Sequence, residues 1–301
     1  MLSANATPSP PSVANPVSAA PALAESLTVS IVVHRLHRDE LLRNLQTLHV
    51  AALQVSDTRV QLVLIDNSDA SELGEALRAL AQQSGWPDTR VLSGHGNVGY
   101  GAGHNLAILA SADAAHLVLN PDVELDPDAL SGGLATLASP EVVLVGAVGR
   151  DADGRPGYLS KRMPSVWTFF LRGFAPAWLK RRFDARLAHY EYRDLPSDHV
   201  SDVTLVSGAF MLARTSALQA VGGFDERYFL HFEDLDLSLR MHAQGRVVSD
   251  PATGASAPEL LLQTSLQVSS FGEDIDGEVY LLDYAKGAIH RLVPDGEPPA
   301  P

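Results

Sequence analysis

Val60-Gln61-Leu62-Val63-Leu64-Ile65-Asp66-Asn67-Ser68 is a β-branched, largely apolar run that stops at a carboxylate and two turn-forming residues. A run of this length and composition reads as a strand buried on both faces, and such strands belong to parallel sheets covered by helices. Upstream, residues 27–33 repeat the pattern, and Asp39 to Leu53 between them carries apolar residues at helical spacing. Downstream the alternation continues: a helix over 71–83, a short strand over 89–92, and a helix over 102–112. A strand over 116–119, a helix over 127–138 and a strand over 142–148 follow. Strand and helix in turn predict an α/β, Rossmann-like, mostly parallel sheet flanked by helices. In such a sheet ligands gather at the carboxyl ends of strands, where Asp66 and the turn Asn120-Pro121-Asp122 both stand.

Composition narrows the function. The 301 residues are 46% hydrophobic, enough for a substantial core, and residues 1–26 read as a disordered leader of Ala, Pro, Ser and Asn. The 22 basic and 36 acidic residues give a net charge of −14, which argues against a nucleic-acid partner. Cysteine is absent, so thiolate metal sites and thiol nucleophiles are excluded. No window has the roughly 18 consecutive apolar residues of a membrane span, and a cytoplasmic protein is expected. Residues 161–186, however, mix seven basic residues and one acid with Trp167, Phe169, Phe170, Phe174, Trp178 and Phe183. Such a segment suits either peripheral contact with the inner face of an anionic membrane or a packed connector with a solvated basic run.

Beyond residue 200, the run 203–212 reads as a strand and 215–221 as a short helix ended by Gly222-Gly223. The run 234–242 alternates apolar and polar residues, which suits a strand, yet its leucines also suit a helix buried on two sides.

Four constellations carry chemistry. Asp66, at a strand tip, is suited either to accept from a nucleobase N–H or a ribose hydroxyl, or to close an Asx-turn. The loop from Gly94 to Asn105 holds five glycines within 94–103 and leads into a helix, a geometry that either lets backbone approach a diphosphate or serves as a flexible structural loop. Asp122, fixed by Pro121, is the candidate ligand for Mg²⁺ or Mn²⁺, hard cations that take one or two carboxylates and fill the rest with phosphate and water. The neighbouring Asp126 and Asp128 read as a helix start at Pro127. Finally, Glu233, Asp234 and Asp236 are crowded enough to raise one pKa toward that of a general base, with Asp234 the better candidate. Asp236 and Arg240, four apart, also suit a helix-face ion pair.

Taken in order, these stretches resemble the family 2 glycosyltransferases, in particular the rhamnosyltransferase-like branch. The matching residues are Val29 to Val33, Leu64 to Ser68, Gly96 to Asn105, Leu119 to Asp122, Ser207 to Phe210, Gly222 to Glu226, and Phe232 to Arg240; they cover about 27–249. The resemblance implies a GT-A fold, a dTDP- or UDP-sugar donor, and metal-dependent inverting transfer of a sugar, plausibly rhamnose, to a polysaccharide or lipid-linked glycan. Carried over by position, Asp66 binds the donor base or ribose, and Asn97, Gly99, Gly101, Gly103 and Asn105 flank its diphosphate and sugar. Asn120 opens the metal element that Asp122 closes, Gly208 and Glu233 lie on the acceptor side, and Asp234 is the catalytic base.

After residue 249 the family's usual histidine-containing His-x-Gly-Gly-type segment is missing. Residues 265–293 instead resemble the closing part of a glucose/sorbosone dehydrogenase β-propeller, with a hairpin around Ala285-Lys286-Gly287. The expected organisation is therefore a C-terminally truncated transferase domain over 27–249 and a linker with a hairpin remnant over 250–301. A nucleotide-sugar-binding remnant without turnover is the alternative reading.

Overall fold

The computed structural model describes residues 25–69, 72–150, 157–196, 198–256, 268–273, 279–283 and 288–291. The expected leader lies outside these residues except for Glu25 and Ser26, the latter opening the first strand.

Four parallel strands build the N-terminal half of the sheet, in the order β3-β2-β1-β4: β1 (Ser26–Val33), β2 (Arg59–Asp66), β3 (Arg90–Leu92) and β4 (Ala115–Leu119). Helices α1 (Arg38–Leu53), α2 (Leu73–Gln83) and α3 (Tyr100–Ile108) connect them. Beyond β4 the sheet becomes mixed. It gains the two-residue β5 (Glu124–Leu125), β6 (Val142–Arg150), β7 (Ser201–Asp202), β8 (Phe210–Arg214) and β9 (Arg246–Ser256). In this half β8 runs antiparallel between β4 and β6, and β9 runs parallel to β6.

The strands alternate their faces with period two. Leu27, Val29, Ile31 and Val33 of β1 meet α1, α2 and α4 (Ala129–Leu137) in one cluster, whereas Val32 joins Val63, Ile65 and Ala107 on the other face. That second face is closed by α3, α8 (Thr215–Ala220) and α9 (Glu233–Met241) through Ile108, Leu218, Leu237 and Met241, with Phe224 of the segment between α8 and α9. Each fully buried Leu or Phe contributes about 1.5–3 kcal/mol relative to exposure, so the two-sided burial is what makes the sheet the rigid part of the molecule.

Several sequence expectations change. The basic, aromatic segment over 161–186, for which no elements were assigned, contributes to α5 (Val166–Gly173), α6 (Ala177–Arg182) and α7 (Asp184–Tyr190), packed around Leu171, Ala175 and Leu187. The strand expected over 203–212 starts only at Phe210, because Ser207 accepts from the Phe210 amide in a turn and the Gly208 amide is taken by a carboxylate. Helix α4 begins at Ala129, so Pro127 lies in the preceding turn.

The run with ambiguous periodicity is the helix α9. It buries Glu233, Leu237, Ser238 and Met241, which share one helical face, and leaves Leu239 exposed. Asp236 and Arg240 make the i,i+4 pair at 2.6 Å. Arg240 also donates to the Val221 and Gly223 carbonyls and so ties α9 to the Gly222-Gly223 turn.

The boundary expected at 249 falls inside β9, which continues to Ser256 and pairs with β6 and β5. The C-terminal hairpin is present as β11 (Val279–Asp283) against β12 (Ala288–Arg291), and β10 (Val268–Glu273) adds a third antiparallel strand. These three form a sheet separate from the nine-stranded one. A third strand is what an otherwise marginal hairpin needs.

Candidate functional site

A cleft of about 490 Å³ opens at the carboxyl ends of β1, β2 and β4, and its lining includes both Asp122 and Asp234. Two carboxylates 112 positions apart in sequence are thus brought to one cavity by the sheet order β1-β4-β8. Asp122 follows β4 directly, while Asp234 enters at the first turn of α9 and reaches the turn before β8.

The Asp234 carboxylate is held at both oxygens: Oδ2 accepts from the Gly208 amide at 3.0 Å and Oδ1 from the Leu235 amide at 2.8 Å. The chain reaches it through His231 and Phe232, both in the left-handed region at φ 72° and 69°. Such a conformation is costly for residues with a Cβ and persists only where the surroundings hold it. Here it aims Glu233 and Asp234 into the cleft.

Tyr100, at the start of α3, links the two acid-bearing turns. Its hydroxyl lies 2.9 Å from Asn120 Oδ1 and 2.8 Å from the Gly208 carbonyl, and it donates its one proton to this pair of acceptors. Burial, reinforced by the charges of Asp234, Glu233 and Asp122, lifts its phenol well above the ordinary value, so it stays a donor. The loop before it is pinned by Asn67, whose Nδ2 donates to Asn97 Oδ1 and to the Gly99 carbonyl and whose Oδ1 accepts from the Val98 amide. Gly99 has φ +92°, and a Cβ there would lie 2.5 Å from the Phe229 carbonyl, which accepts from the Tyr100 amide. Only glycine fits at that crossing. Across β4, Asn44 of α1 is fully buried and donates to the Asn120 and Val123 carbonyls, fixing the turn that carries Asp122.

Two carboxylate oxygens in the cleft, Asp122 Oδ1 and Glu233 Oε2, are buried without a hydrogen-bond partner. Burial raises the Asp122 carboxyl above its ordinary value; its own backbone bond and His37 oppose the rise, and Glu40 adds to it. Glu233 is likewise raised, first by burial and then by the charge of Asp234, against its backbone bond and His231. Orphaned anionic oxygens are expensive inside a protein, and a cation is the partner their chemistry suits. Among the described residues no three His, Asp or Glu are grouped to hold an ion unaided. An ion at Asp122 would therefore take further ligands from a bound anion and water.

Residues 27–259 match the family described as "Glycosyltransferase like family 2". The chain belongs to this family. It is 31% identical over 214 residues to the N-acetylglucosaminyl-diphospho-decaprenol L-rhamnosyltransferase of Mycobacterium tuberculosis, covering 65% of this chain and 66% of that one. It is 26% identical over 227 residues to the rhamnosyltransferase WbbL of Escherichia coli, covering 71% and 76%. The chain thus spans just under two thirds of the mycobacterial relative. Among solved structures, GalNAc-T7 with UDP, GalNAc and Mn²⁺ matches with a TM-score of 0.54 at 13% identity, covering 79% of this chain and 45% of that one. The mannosyltransferase PcManGT of Pyrobaculum calidifontis, in complex with GDP-Man and Mn²⁺, matches with a TM-score of 0.54 at 14% identity, covering 77% and 56%. The fold is therefore GT-A.

Within this family 2 domain the expected site residues divide. Asn97, Gly99, Asn120, Asp122, Gly208, Glu233 and Asp234 all line the cleft. Asp66, Gly101, Gly103 and Asn105 do not. Asp66 is buried and its Oδ1 accepts from the amide and hydroxyl of Ser68, the turn-closing alternative. Gly101 and Gly103 let α3 pack closely, since a Cβ would meet Phe224 at 2.8 Å and Val32 at 3.0 Å respectively. Asn105 grips Phe224, accepting from its amide at 2.8 Å and donating to its carbonyl at 2.9 Å, and so fastens the Gly222–Glu226 segment to α3. Sequence reasoning gave no role to Tyr100, Asn67 or Asn44. The first two lay within stretches already singled out, Asn67 beside Asp66 and Tyr100 inside the glycine loop.

Proposed function

We propose that this chain is a metal-dependent, inverting glycosyltransferase that moves a sugar, plausibly rhamnose, from a nucleoside-diphosphate donor to a polysaccharide or lipid-linked glycan. The observation that carries the reading is the convergence of Asp122 and Asp234 on one cleft at the carboxyl ends of the parallel strands. The named activities of the mycobacterial and Escherichia coli relatives support the transferred sugar, and the mycobacterial one the lipid-linked acceptor.

In this mechanism Asp122, with its unpartnered Oδ1, would be the protein's ligand for Mg²⁺ or Mn²⁺. When bound, such an ion supplies Lewis-acid stabilisation of charge on the departing diphosphate. The backbone around Asn97 and Gly99 faces the donor, held by Asn67. Asp234, oriented by the Gly208 and Leu235 amides, takes the proton from the acceptor hydroxyl as its oxygen attacks the anomeric carbon from the face opposite the leaving group. Glu233, whose carboxyl burial raises, lines the same cleft beside Asp234.

Titration with UDP or dTDP in the presence of Mn²⁺, together with a donor-turnover assay, tests the assignment. Asp122→Ala should remove metal-dependent nucleotide binding. Asp234→Asn should keep that binding and lower turnover by about 10²–10⁴-fold, the usual contribution of a general base. Equal affinity in wild type and Asp122→Ala at saturating Mn²⁺ would reject the metal role.

A further inference from the structure

Asp234 and Ser207 line a second cavity besides the donor cleft. This cavity, of about 250 Å³, is bounded by Lys161, Arg172, Tyr190 and the segment 205–207. Its charge is opposite to that of the cleft. The Arg172 guanidinium stands 5.4 Å and the Lys161 ammonium 6.0 Å from the centre of the Tyr190 ring. Lys161 donates to the Tyr158 carbonyl, and Glu191, the acid nearest to it in effect, is engaged by Arg193 at 2.6 Å. Burial draws the Lys161 ammonium down to about 8; Glu191 opposes this, and Arg172 and Arg193 add to it. Keeping a largely buried ammonium beside a guanidinium, in a chain with net charge −14, is costly unless an anion completes the set. Helix α5, which carries Arg172, also exposes Trp167, Phe169 and Phe170.

We infer that the cavity between Lys161, Arg172 and Asp234 is an acceptor subsite for the phosphoryl group, mono- or diphosphate, that joins an acceptor sugar to a lipid. The inference rests on the transferase reading: with the phosphoryl group beside Lys161 and Arg172, the attached sugar projects toward Asp234 and the donor. Charge-assisted hydrogen bonds to a phosphoryl group are roughly twice as strong as neutral ones.

Calorimetric titration of the full chain with geranyl diphosphate, geranyl monophosphate and geraniol tests it, with EDTA present so that no metal-bridged complex forms in the donor cleft. Wild type should bind one or both phosphorylated probes and not geraniol, and the tighter of the two identifies the linker. Lys161→Gln and Arg172→Gln should each weaken that binding at least about tenfold, while UDP or dTDP with Mn²⁺ binds the variants as it does wild type. Affinity should fall as pH rises through about 8, and Lys161→Arg, charged throughout, should abolish that dependence. Beside Lys161, the charged or titratable groups lining the cavity are Tyr158, Arg172, Tyr190 and Asp234, while Glu191 and Arg193 act on Lys161 from outside it. Unchanged probe affinity in both Gln variants, or no probe binding by wild type, overturns the inference. If Lys161→Gln loses the nucleotide as well, its fold is at fault, and the exposed Arg172→Gln decides. Probe binding by a wild type that binds no nucleotide would leave the subsite standing and overturn the donor reading.

Discussion

Tyr100 shows how one side chain can couple two halves of a site. Its hydroxyl meets Asn120, in the turn that carries Asp122, and the carbonyl of Gly208, whose amide donates to Asp234. Tyr100→Phe keeps the ring contacts with His104 and Phe224 but leaves the part-buried Asn120 Oδ1 and Gly208 carbonyl without their donor. The expected loss is about 1–3 kcal/mol of unfolding free energy in urea, the cost of an unsatisfied buried polar group. A drop in donor turnover should accompany it, because Gly208 loses one of the contacts that fix its amide. Wild-type stability and turnover together would show that the hydroxyl does not brace the site. That role was not legible from the sequence, where Tyr100 is one aromatic residue in a glycine-rich loop and only the fold supplies its two partners. Asp122 and Asp234, which line one cleft, lie in stretches that stood out in the sequence, a strand end in one case and an acidic cluster in the other. Gly101, Gly103 and Asn105 misled for the opposite reason. Glycine and asparagine serve close backbone approach equally well against a ligand and against Phe224.

At the scale of elements, β1, β4 and α3 enclose a polar cluster in an otherwise apolar layer. Ser30 Oγ lies 2.8 Å from both His104 Nδ1 and His116 Nε2, and all three residues are fully buried. Burial, aided by the nearby His116, keeps His104 well below its ordinary value; burial brings His116 to about 3, against the opposing charge of Asp113. The unfolded chain therefore takes up protons on these imidazoles below about 6.5 while the folded chain does not, so their contribution to stability is complete above that pH and is lost as pH falls toward 3. Each group can contribute a slope of at most about 1.4 kcal/mol per pH unit. Asp122 and Glu233, whose carboxyls are raised by burial, act in the opposite sense, so the difference between variants isolates the histidines. Urea denaturation at several pH values between 7.5 and 5 should give a shallower pH dependence for His116→Gln than for wild type; parallel curves would show that the imidazole is not held neutral. The helices and strands themselves were largely legible, since β1, β2 and α1 announce themselves by period and composition. The exceptions have physical causes. Helix α9 hides its 3.6-residue period behind a near-strict alternation of charged residues and leucines, and only Glu233, Leu237, Ser238 and Met241 settle its buried face. The strand expected from residue 203 fails to begin there because Asp234 captures the Gly208 amide.

For the whole molecule, the uneven distribution of charge and apolar surface matters more than its net sign. Trp178 is 69% exposed, Val166 88% and Phe174 50%, beside Arg172, Lys180, Arg181 and Arg182. The patch continues to the cleft: Phe169 packs edge-on against Phe232 at 5.8 Å, and Phe229 and Leu230, both more than half exposed, line the cleft mouth. No helix among the described residues is long and apolar enough to cross a membrane. A basic, aromatic surface that reaches the cleft suits an anionic bilayer, on which rings enter the interface and cations meet headgroups. It would bring a lipid-linked acceptor to the site from the side where Lys161 and Arg172 stand. The full chain should sediment with vesicles containing phosphatidylglycerol and remain in solution with purely phosphatidylcholine vesicles, and high salt should release it. Neutralising Lys180, Arg181 and Arg182 to Gln removes about 1 kcal/mol for each charge near the surface, about 3 in all, and should weaken vesicle binding on the order of a hundredfold. Trp178→Ser should weaken it at every salt concentration, because ring burial is not screened. Binding to neither kind of vesicle would assign the patch to a protein partner, and the acceptor would then have to reach Asp234 by another route, whereas equal binding to both would show that the basic residues take no part.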